Sequence, residues 1–178
     1  FAGRQMTRHV LVAWGQSNRE GVLLPSTLPT YENTSRIWVY TQPWDSVNNW
    51  PINASDHAAG TWTQGMSDPI HSHPNCGVGP MKAMADRYLT LMDDENLEVG
   101  IVPCAMGGSS LINDWKRIYH AGALYPTMVA RALKAREWGD IKCLVGYQGE
   151  YEASVANPPS DLLYPRWLEA CYDLIKSF

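Results

Sequence analysis

Short apolar runs at three places along the chain predict strands that are buried in a sheet. Each run is followed at once by glycine and small polar residues, a composition that is typical of loops. A further run alternates polar and apolar positions and is rich in β-branched and aromatic residues, which predicts one more strand. The predicted strands cover residues 9–14, 36–41, 97–104 and 141–147.

Helical spacing of apolar residues predicts three helices. Residues 78–92 form the first, with Pro80 suited to its first turn, and residues 126–138 form the second, which Gly139 would end. The last follows a proline-rich link near the end of the chain. The predicted apolar faces comprise Met81, Met84, Ala85, Tyr88 and Met92 in the first helix, Met128, Val129, Ala132 and Leu133 in the second, and Trp167, Leu168, Cys171, Tyr172 and Ile175 in the last.

The alternation of strands and helices predicts an α/β fold, in which helices cover both faces of a parallel sheet. Residues 42–77 are rich in proline, asparagine, serine, aspartate and tryptophan and show no periodicity. They are expected to form a long surface loop, and such loops in compact domains are often functional.

The composition is that of an ordinary globular protein. The chain has 178 residues, of which 45% are hydrophobic and 18% are charged. That length suits a single domain, so residues 1–178 are predicted to form one. The formal net charge of −4 offers no basic surface for nucleic acid. The apolar runs are also too short to span a membrane.

The four cysteines are far apart and lack the CxxC spacing of zinc or redox sites. Cys104 and Cys143 lie within apolar runs, so both are expected to be buried thiols. Glycosylation sequons at residues 33–35 and 53–55 favour a secreted or extracellular protein, although such triplets often arise by chance.

Three of the predicted strands end in loops whose residues suit acyl transfer. The loops are residues 15–18, 107–110 and 148–150, and parallel strands would bring them to one edge of the sheet. Together they supply a serine hydroxyl, backbone N–H groups at glycines and a side-chain amide. Taken singly, each has a structural explanation: Ser17 as a helix cap, the paired glycines as a tight turn, and Gln148 as an ordinary amide at a strand end.

These segments, in this order, resemble the sialate O-acetylesterase and acetylxylan esterase group of the SGNH hydrolase superfamily. The resemblance covers almost the whole chain and implies a flavodoxin-like, three-layer α/β/α fold with a central parallel sheet. The matching positions are residues 15–18, 107–109 followed by Trp115, and 148–150, with smaller agreements at residues 36–39 and 78–80.

The resemblance implies a role for each of these residues. Ser17 would be the nucleophile, and its N–H, that of Gly107 or Gly108 and the Gln148 side chain would form the oxyanion hole. Gly108 is favoured of the two glycines. Glu150 would support the catalytic histidine or order the site. The residues expected to contact substrate are Gln16, Asn18, Arg19 and Trp115.

The catalytic base is the part of this machinery that the chain does not match. The family places its histidine in an Asp-x-x-His stretch after the final helix, whereas no histidine follows His120 here. The domain is therefore expected to lack its C-terminal segment. Asp68 and His71 form an Asp-x-x-His inside the long loop, a less favoured alternative. His71, His73 and Cys76 lack a fourth ligand, so no metal site is expected.

The favoured hypothesis is a carbohydrate O-acetylesterase, a serine hydrolase that needs no cofactor and releases acetate from acetylated sugars. The alternative is a catalytically inactive SGNH-like domain that serves as a structural or binding subunit of a larger assembly. In either case a protein partner is expected to cover the incomplete C-terminal side. A flavodoxin-like nucleotide-binding domain is disfavoured because the chain has no GxGxxG or Walker sequence.

Overall fold

The four strands predicted from the apolar pattern are all present. The computed structural model describes residues 6–15, 28–41, 44–45, 50–51, 60–70, 76–110, 114–115 and 124–155. Its strands are β1 (Thr7–Gly15), β2 (Ile37–Thr41), β3 (Trp44–Asp45), β4 (Trp50–Pro51), β5 (Thr61–Gln64), β6 (Leu97–Pro103) and β7 (Asp140–Tyr147). Its helices are α1 (Met81–Met92), α2 (Leu124–Ala135) and α3 (Glu150–Val155), with a 3₁₀ turn at Thr34–Arg36.

The main sheet has five strands in the order β5-β2-β6-β1-β7. Strands β2, β6, β1 and β7 are parallel, whereas β5 lies antiparallel to β2 at the edge. β5 and the small β3–β4 pair fall within residues 42–77, where a loop was predicted. β5 has no recognisable pattern because Trp62 is its one residue that is not exposed.

The core lies on both faces of β1 and β6. All seven residues of β6 are buried, as expected for a central strand of a parallel sheet. Alternate residues of β1 face opposite sides, so Val10 and Val12 pack in one cluster with Met128 and Ala132 of α2. Leu11 and Ala13 pack in the other cluster, with Met81, Ala85 and Leu89 of α1. The fold is therefore α/β, with helices on both faces of the sheet.

The buried face of α1 differs from the predicted one. Met84 and Met92 are 39% and 46% exposed, while Leu89 and Lys82 are buried. The helix contacts the sheet through Met81, Ala85 and Leu89, which are spaced four residues apart and so lie in one row. The methionine spacing alone did not distinguish this row from its neighbour.

β7 forms as predicted, but it is not a buried strand. Within the described residues it is the outermost strand of the sheet beyond β1, and its side chains alternate irregularly between half-buried and exposed. Cys143 is consequently an exposed free thiol rather than the buried one expected, whereas Cys76 and Cys104 are buried. Leu133 of α2, also predicted to be buried, is 56% exposed.

The last predicted helix lies outside the described residues, because the structure describes none of residues 156–178. Residues 148–155, which precede it, contain the short helix α3 in place of a loop. None of the helices that the structure describes is long and apolar enough to cross a membrane.

Candidate active site

The carboxyl ends of β1, β6 and β7 lie together at one edge of the sheet. In the parallel registers Ala13 is opposite Pro103, and Gly15 is opposite Tyr147. Of the three loops singled out from the sequence, residues 15–18 begin at Gly15, residues 148–150 directly follow Tyr147, and residues 107–110 begin four residues after Pro103. Gln16, Ser17, Asn18 and Arg19 follow Gly15 immediately but lie outside the described residues.

The segment after β6 continues alongside the end of β1. The N–H of Cys104 donates to the carbonyl oxygen of Ala13 at 2.7 Å, and the N–H of Met106 donates to that of Gly15 at 2.9 Å. These two bonds extend the pairing past the end of β6. They hold the start of the Gly107–Gly108 loop next to the residue from which the Gln16–Arg19 segment departs.

Gly15 occupies a position that no other residue fits. Its φ is +131°, a conformation that side-chain-bearing residues rarely adopt. A Cβ atom at this position would also overlap the carbonyl group of Tyr147. Glycine therefore allows the end of β1 to approach β7 closely, immediately before the segment that contains Ser17.

Gly107 and Gly108 are exposed at this edge, and Gly108 has room around it. Gly108 has φ +72°, and a Cβ atom added to it would meet nothing within 4 Å. Among the described residues, neither glycine N–H has a hydrogen-bond acceptor. Exposed glycine N–H groups of this kind are able to bind a negatively charged oxygen.

Gln148 reaches the same loop from the end of β7. Its Nε2 atom donates to the carbonyl oxygen of Ser109 at 2.6 Å. Because a side-chain amide is planar, this bond fixes the plane of the Gln148 amide beside the glycine loop. Glu150 follows as the first residue of α3 and is half-buried.

Trp115 does not have the substrate-contacting surface that the sequence analysis expected. Its side chain is 0% exposed, so neither face of the ring is open to a sugar. The ring packs edge-on against Trp14 of β1, with centroids 5.5 Å apart, and its Nε1 atom donates to the Ser109 hydroxyl at 3.0 Å. The prediction failed because a tryptophan near a loop has the same appearance in sequence whether it stacks on a ligand or anchors the core.

Arg131 of α2 is a buried residue at this edge that sequence reasoning missed. Its guanidinium donates to the carbonyl oxygens of Pro103 at 2.7 Å and Tyr40 at 2.8 Å, and so joins the ends of β6 and β2. Burial lowers the pKa of Arg131, although arginine remains protonated in proteins. The apolar pattern gave no signal, since the predicted face of α2 contained only apolar residues.

Cys104 lies at this edge, directly after the end of β6. Burial raises the pKa of its thiol, and the positive charge of Arg131 opposes that shift. The thiolate is the reactive form of cysteine, so this buried thiol is poorly suited to act as a nucleophile.

The alternative Asp-x-x-His stretch is described only at its first three residues. Asp68 is buried, and neither of its carboxylate oxygens has a hydrogen-bond partner among the described residues. Burial raises the pKa of Asp68, and the nearby charge of Lys82 opposes the shift. Lys82 is itself buried, with its ammonium 5.0 Å from the centre of the Tyr31 ring. His71 lies outside the described residues.

No metal centre emerges from the part of the chain that the structure describes. There, no group of three histidine, cysteine, aspartate or glutamate side chains lies close enough to hold an ion. Cys76 is buried, and His73 lies outside the described residues together with His71.

Comparison with known proteins supports the resemblance seen in the sequence. The chain matches the model of the family described as carbohydrate esterase, sialic acid-specific acetylesterase over residues 7–176. It is 31% identical over 146 residues to a probable carbohydrate esterase of Arabidopsis thaliana, which covers 79% of this chain and 53% of the plant protein. The chain thus spans about half the length of that curated relative.

Solved structures show the same fold. The X-ray structure of the Arabidopsis thaliana protein aligns with a TM-score of 0.71 at 24% identity, over 95% of this chain and 67% of that one. The crystal structure of NanS aligns with a TM-score of 0.53 at 19% identity, over 96% and 63% of the two chains. The family match extends across the strands and loops that form the edge described above. The chain therefore belongs to the carbohydrate esterase family of sialic acid-specific acetylesterases.

Proposed function

We propose that the protein is a carbohydrate O-acetylesterase whose active site lies at the carboxyl edge of the sheet, within a single domain formed by residues 1–178. The observation that supports this most directly is the convergence of the three strand ends from which these loops depart. The exposed Gly107–Gly108 pair and the Gln148 amide meet beside Gly15, two residues before Ser17. Two classes of oxyanion donor are thus brought to the start of the segment that contains the serine.

In the proposed reaction Ser17 is the nucleophile. Its oxygen forms a bond to the acetyl carbonyl carbon while its proton passes to a base. The bond to the sugar oxygen then breaks, and that oxygen takes the proton. Water, deprotonated by the same base, releases acetate from the acyl-enzyme and restores the hydroxyl. The family resemblance implies a histidine as this base, with Glu150 supporting it.

The oxyanion hole would be formed by the N–H groups of Ser17 and Gly108, or Gly107, with the Gln148 side chain. These donors suit the negative oxygen of the tetrahedral intermediate because they are held by the backbone and by a fixed amide plane. Loss of one such donor in a serine hydrolase costs about 10²–10³ in kcat. Gln16, Asn18 and Arg19 flank the nucleophile and are proposed to contact the sugar.

The test is acetate release from an acetylated sugar and from an aryl acetate. It compares the 178-residue chain with the full-length native polypeptide, and each with its Ser17→Ala variant. We expect Ser17→Ala to abolish release with the fold unchanged, because the nucleophile is lost. Ser154→Ala is the matched control, since the Ser154 hydroxyl donates to Tyr151 on the exposed side of α3. Substantial turnover by the Ser17 variant would rule out this function.

The comparison of the two chain lengths also tests the origin of the base. Activity in the longer form alone would place the base beyond Phe178, whereas activity in both would direct attention to His71 or His73. Binding of acetylated sugar without acetate release in either form would favour the alternative, a non-catalytic binding subunit.

A further inference from the structure

The Ser109 hydroxyl makes three contacts at the junction of the loops. Its oxygen accepts the indole N–H of Trp115 at 3.0 Å and lies 2.7 Å from the carbonyl oxygen of Met106 and 3.3 Å from that of Gly15. A hydroxyl has one hydrogen, so it donates mainly to the nearer oxygen, that of Met106. Ser109 is 3% exposed, and these bonds are therefore sheltered from competing water.

Backbone hydrogen bonds of the neighbouring residues hold the glycine pair at both ends. The N–H of Ser109 donates to the carbonyl oxygen of Met106 at 3.3 Å, which closes a turn around Gly107 and Gly108. The Met106 N–H in turn donates to Gly15. The two exposed glycines therefore lie between Met106 and Ser109, which are hydrogen-bonded to each other, and Met106 is also bonded to the end of β1.

Trp115 is a rigid support for this turn. Its backbone N–H donates to the carbonyl oxygen of Ser110 at 3.2 Å, and the side chain of Asp114 accepts the Ser110 N–H at 2.7 Å. Its ring packs against Trp14, and Trp14 in turn lies directly over Gly146 of β7. The indole N–H is thus aimed at Ser109 from a position that is fixed against both β1 and β7.

We propose that Trp115 and Ser109 are positioning residues of the oxyanion hole. The Trp115 indole N–H, acting through the Ser109 hydroxyl, sets the geometry of the Gly107–Gly108 turn, while the Ser109 carbonyl sets the plane of the Gln148 amide. This inference rests on the proposed esterase function. It assigns the buried tryptophan to catalytic geometry instead of sugar binding.

The proposal is tested in the full-length native polypeptide with two variants that remove the same bond. Trp115→Phe keeps an aromatic ring and loses the N–H, and Ser109→Ala loses the hydroxyl. Trp38→Phe is the matched control: the Trp38 indole also donates at 3.0 Å, to Glu98, but toward the amino ends of β2 and β6. The readouts are kcat and KM on an aryl acetate, and amide hydrogen exchange of residues 106–110.

We expect each site variant to lower kcat about tenfold with KM within about twofold, because the turn is displaced while substrate contacts remain. The double variant should be no slower than the slower single one, since both remove one bond. Amide exchange should quicken in both site variants at the hydrogen-bonded N–H groups of this segment, those of Met106, Ser109 and Ser110. Trp38→Phe should change neither readout at this turn.

Unchanged kcat in an active Trp115→Phe variant, or unchanged exchange at residues 106–110, would overturn the positioning role and leave the esterase function intact. Absence of acetate release by the wild-type protein would overturn the esterase function instead. In that case the exchange data still decide whether Trp115 holds the glycine turn, so the two failures are distinguishable.

Discussion

The side-chain amide of Gln148 donates a hydrogen bond of 2.6 Å to the carbonyl oxygen of Ser109. This bond connects the loop after β7 to the loop after β6, two segments that are 39 residues apart in sequence. The amide nitrogen, rather than the amide oxygen, must face Ser109, because a carbonyl oxygen only accepts hydrogen bonds. The orientation of the proposed oxyanion donor is therefore decided by a backbone group of a neighbouring loop.

Gln148→Glu should impair both stability and catalysis. At neutral pH a carboxylate oxygen would face the Ser109 carbonyl, and we expect the free energy of unfolding to fall by about 1–3 kcal/mol. The proposed donor is also lost, so kcat should fall about 10²-fold. The folded-state pKa of the introduced carboxyl should be raised, so the lost stability should return as the pH falls through it.

Gln64→Glu is the control for this change. Gln64 also donates from Nε2 to a serine carbonyl at 2.6 Å, that of Ser35, but at an exposed position on β5. Urea unfolding at several pH values and acetate release would compare the two variants. Equal effects of both on kcat would contradict the assignment of Gln148 to the site.

Gly108→Ala should reduce activity through the backbone. The φ of +72° costs a side-chain-bearing residue about 1–2 kcal/mol, whereas the open space around Gly108 adds no steric clash. Relaxation toward negative φ would turn the neighbouring N–H groups away from the oxyanion, so we expect kcat to fall by about tenfold or more.

Gly65→Ala separates strain from function. Gly65 has a similar φ of +64°, and its nearest contact for an added Cβ is 3.6 Å away. The two variants should lose similar stability in urea unfolding, and only Gly108→Ala should lose acetate release. A Gly108→Ala variant with wild-type kcat would exclude this turn from the oxyanion hole.

Asp68→Asn should change the pH dependence of stability. Burial raises the folded-state pKa of Asp68 above its ordinary value of 3.8. The folded state therefore binds the proton more tightly than the unfolded state. As the pH rises through the folded-state pKa of Asp68, the free energy of unfolding of the wild-type protein should fall. The free energy of unfolding of the variant, relative to wild type, should thus be higher at pH 7 than at pH 4.

Urea unfolding of both proteins at these two pH values measures that difference directly. Asp86→Asn serves as a comparison, because the Asp86 carboxylate accepts hydrogen bonds from the backbone and side chain of Asn33 and its substitution should destabilise the fold at pH 7. If the difference in free energy of unfolding between Asp68→Asn and wild type stays constant or falls from pH 4 to pH 7, burial does not raise the pKa of Asp68 as inferred.

The elements with strong periodicity could be predicted from the sequence. The apolar runs before Gly15, Cys104 and Gln148 each proved to be a strand, and their order in one parallel sheet brought the three strand ends together. That convergence follows from general properties of α/β folds. The expected family and the α/β fold were confirmed by comparison, whereas the roles of Ser17 and its neighbours stay predictions.

Features that depend on tertiary contacts could not be predicted in this way. The exposure of Cys143 depends on the outer position of β7, and the burial of Lys82 depends on which row of α1 meets the sheet. The sequence shows Ser109 beside the glycine pair, but not its hydrogen bond to Trp115. That bond depends on the orientation of the two side chains, which only the folded loop determines. The role of Arg131 could not be predicted from the sequence, because its hydrogen-bond partners are backbone carbonyls, which every residue has.

The strand order also has a consequence for folding kinetics. β1 is far in sequence from both of its partner strands: Thr7 pairs with Leu97, and His9 pairs with Asp140. During synthesis this apolar segment must therefore remain without its sheet partners until β6 and β7 have been made. Closure of such long loops slows folding and exposes the early strand to aggregation. Folding of this protein should accordingly be rate-limited by a late step in which the first strand enters the centre of the sheet.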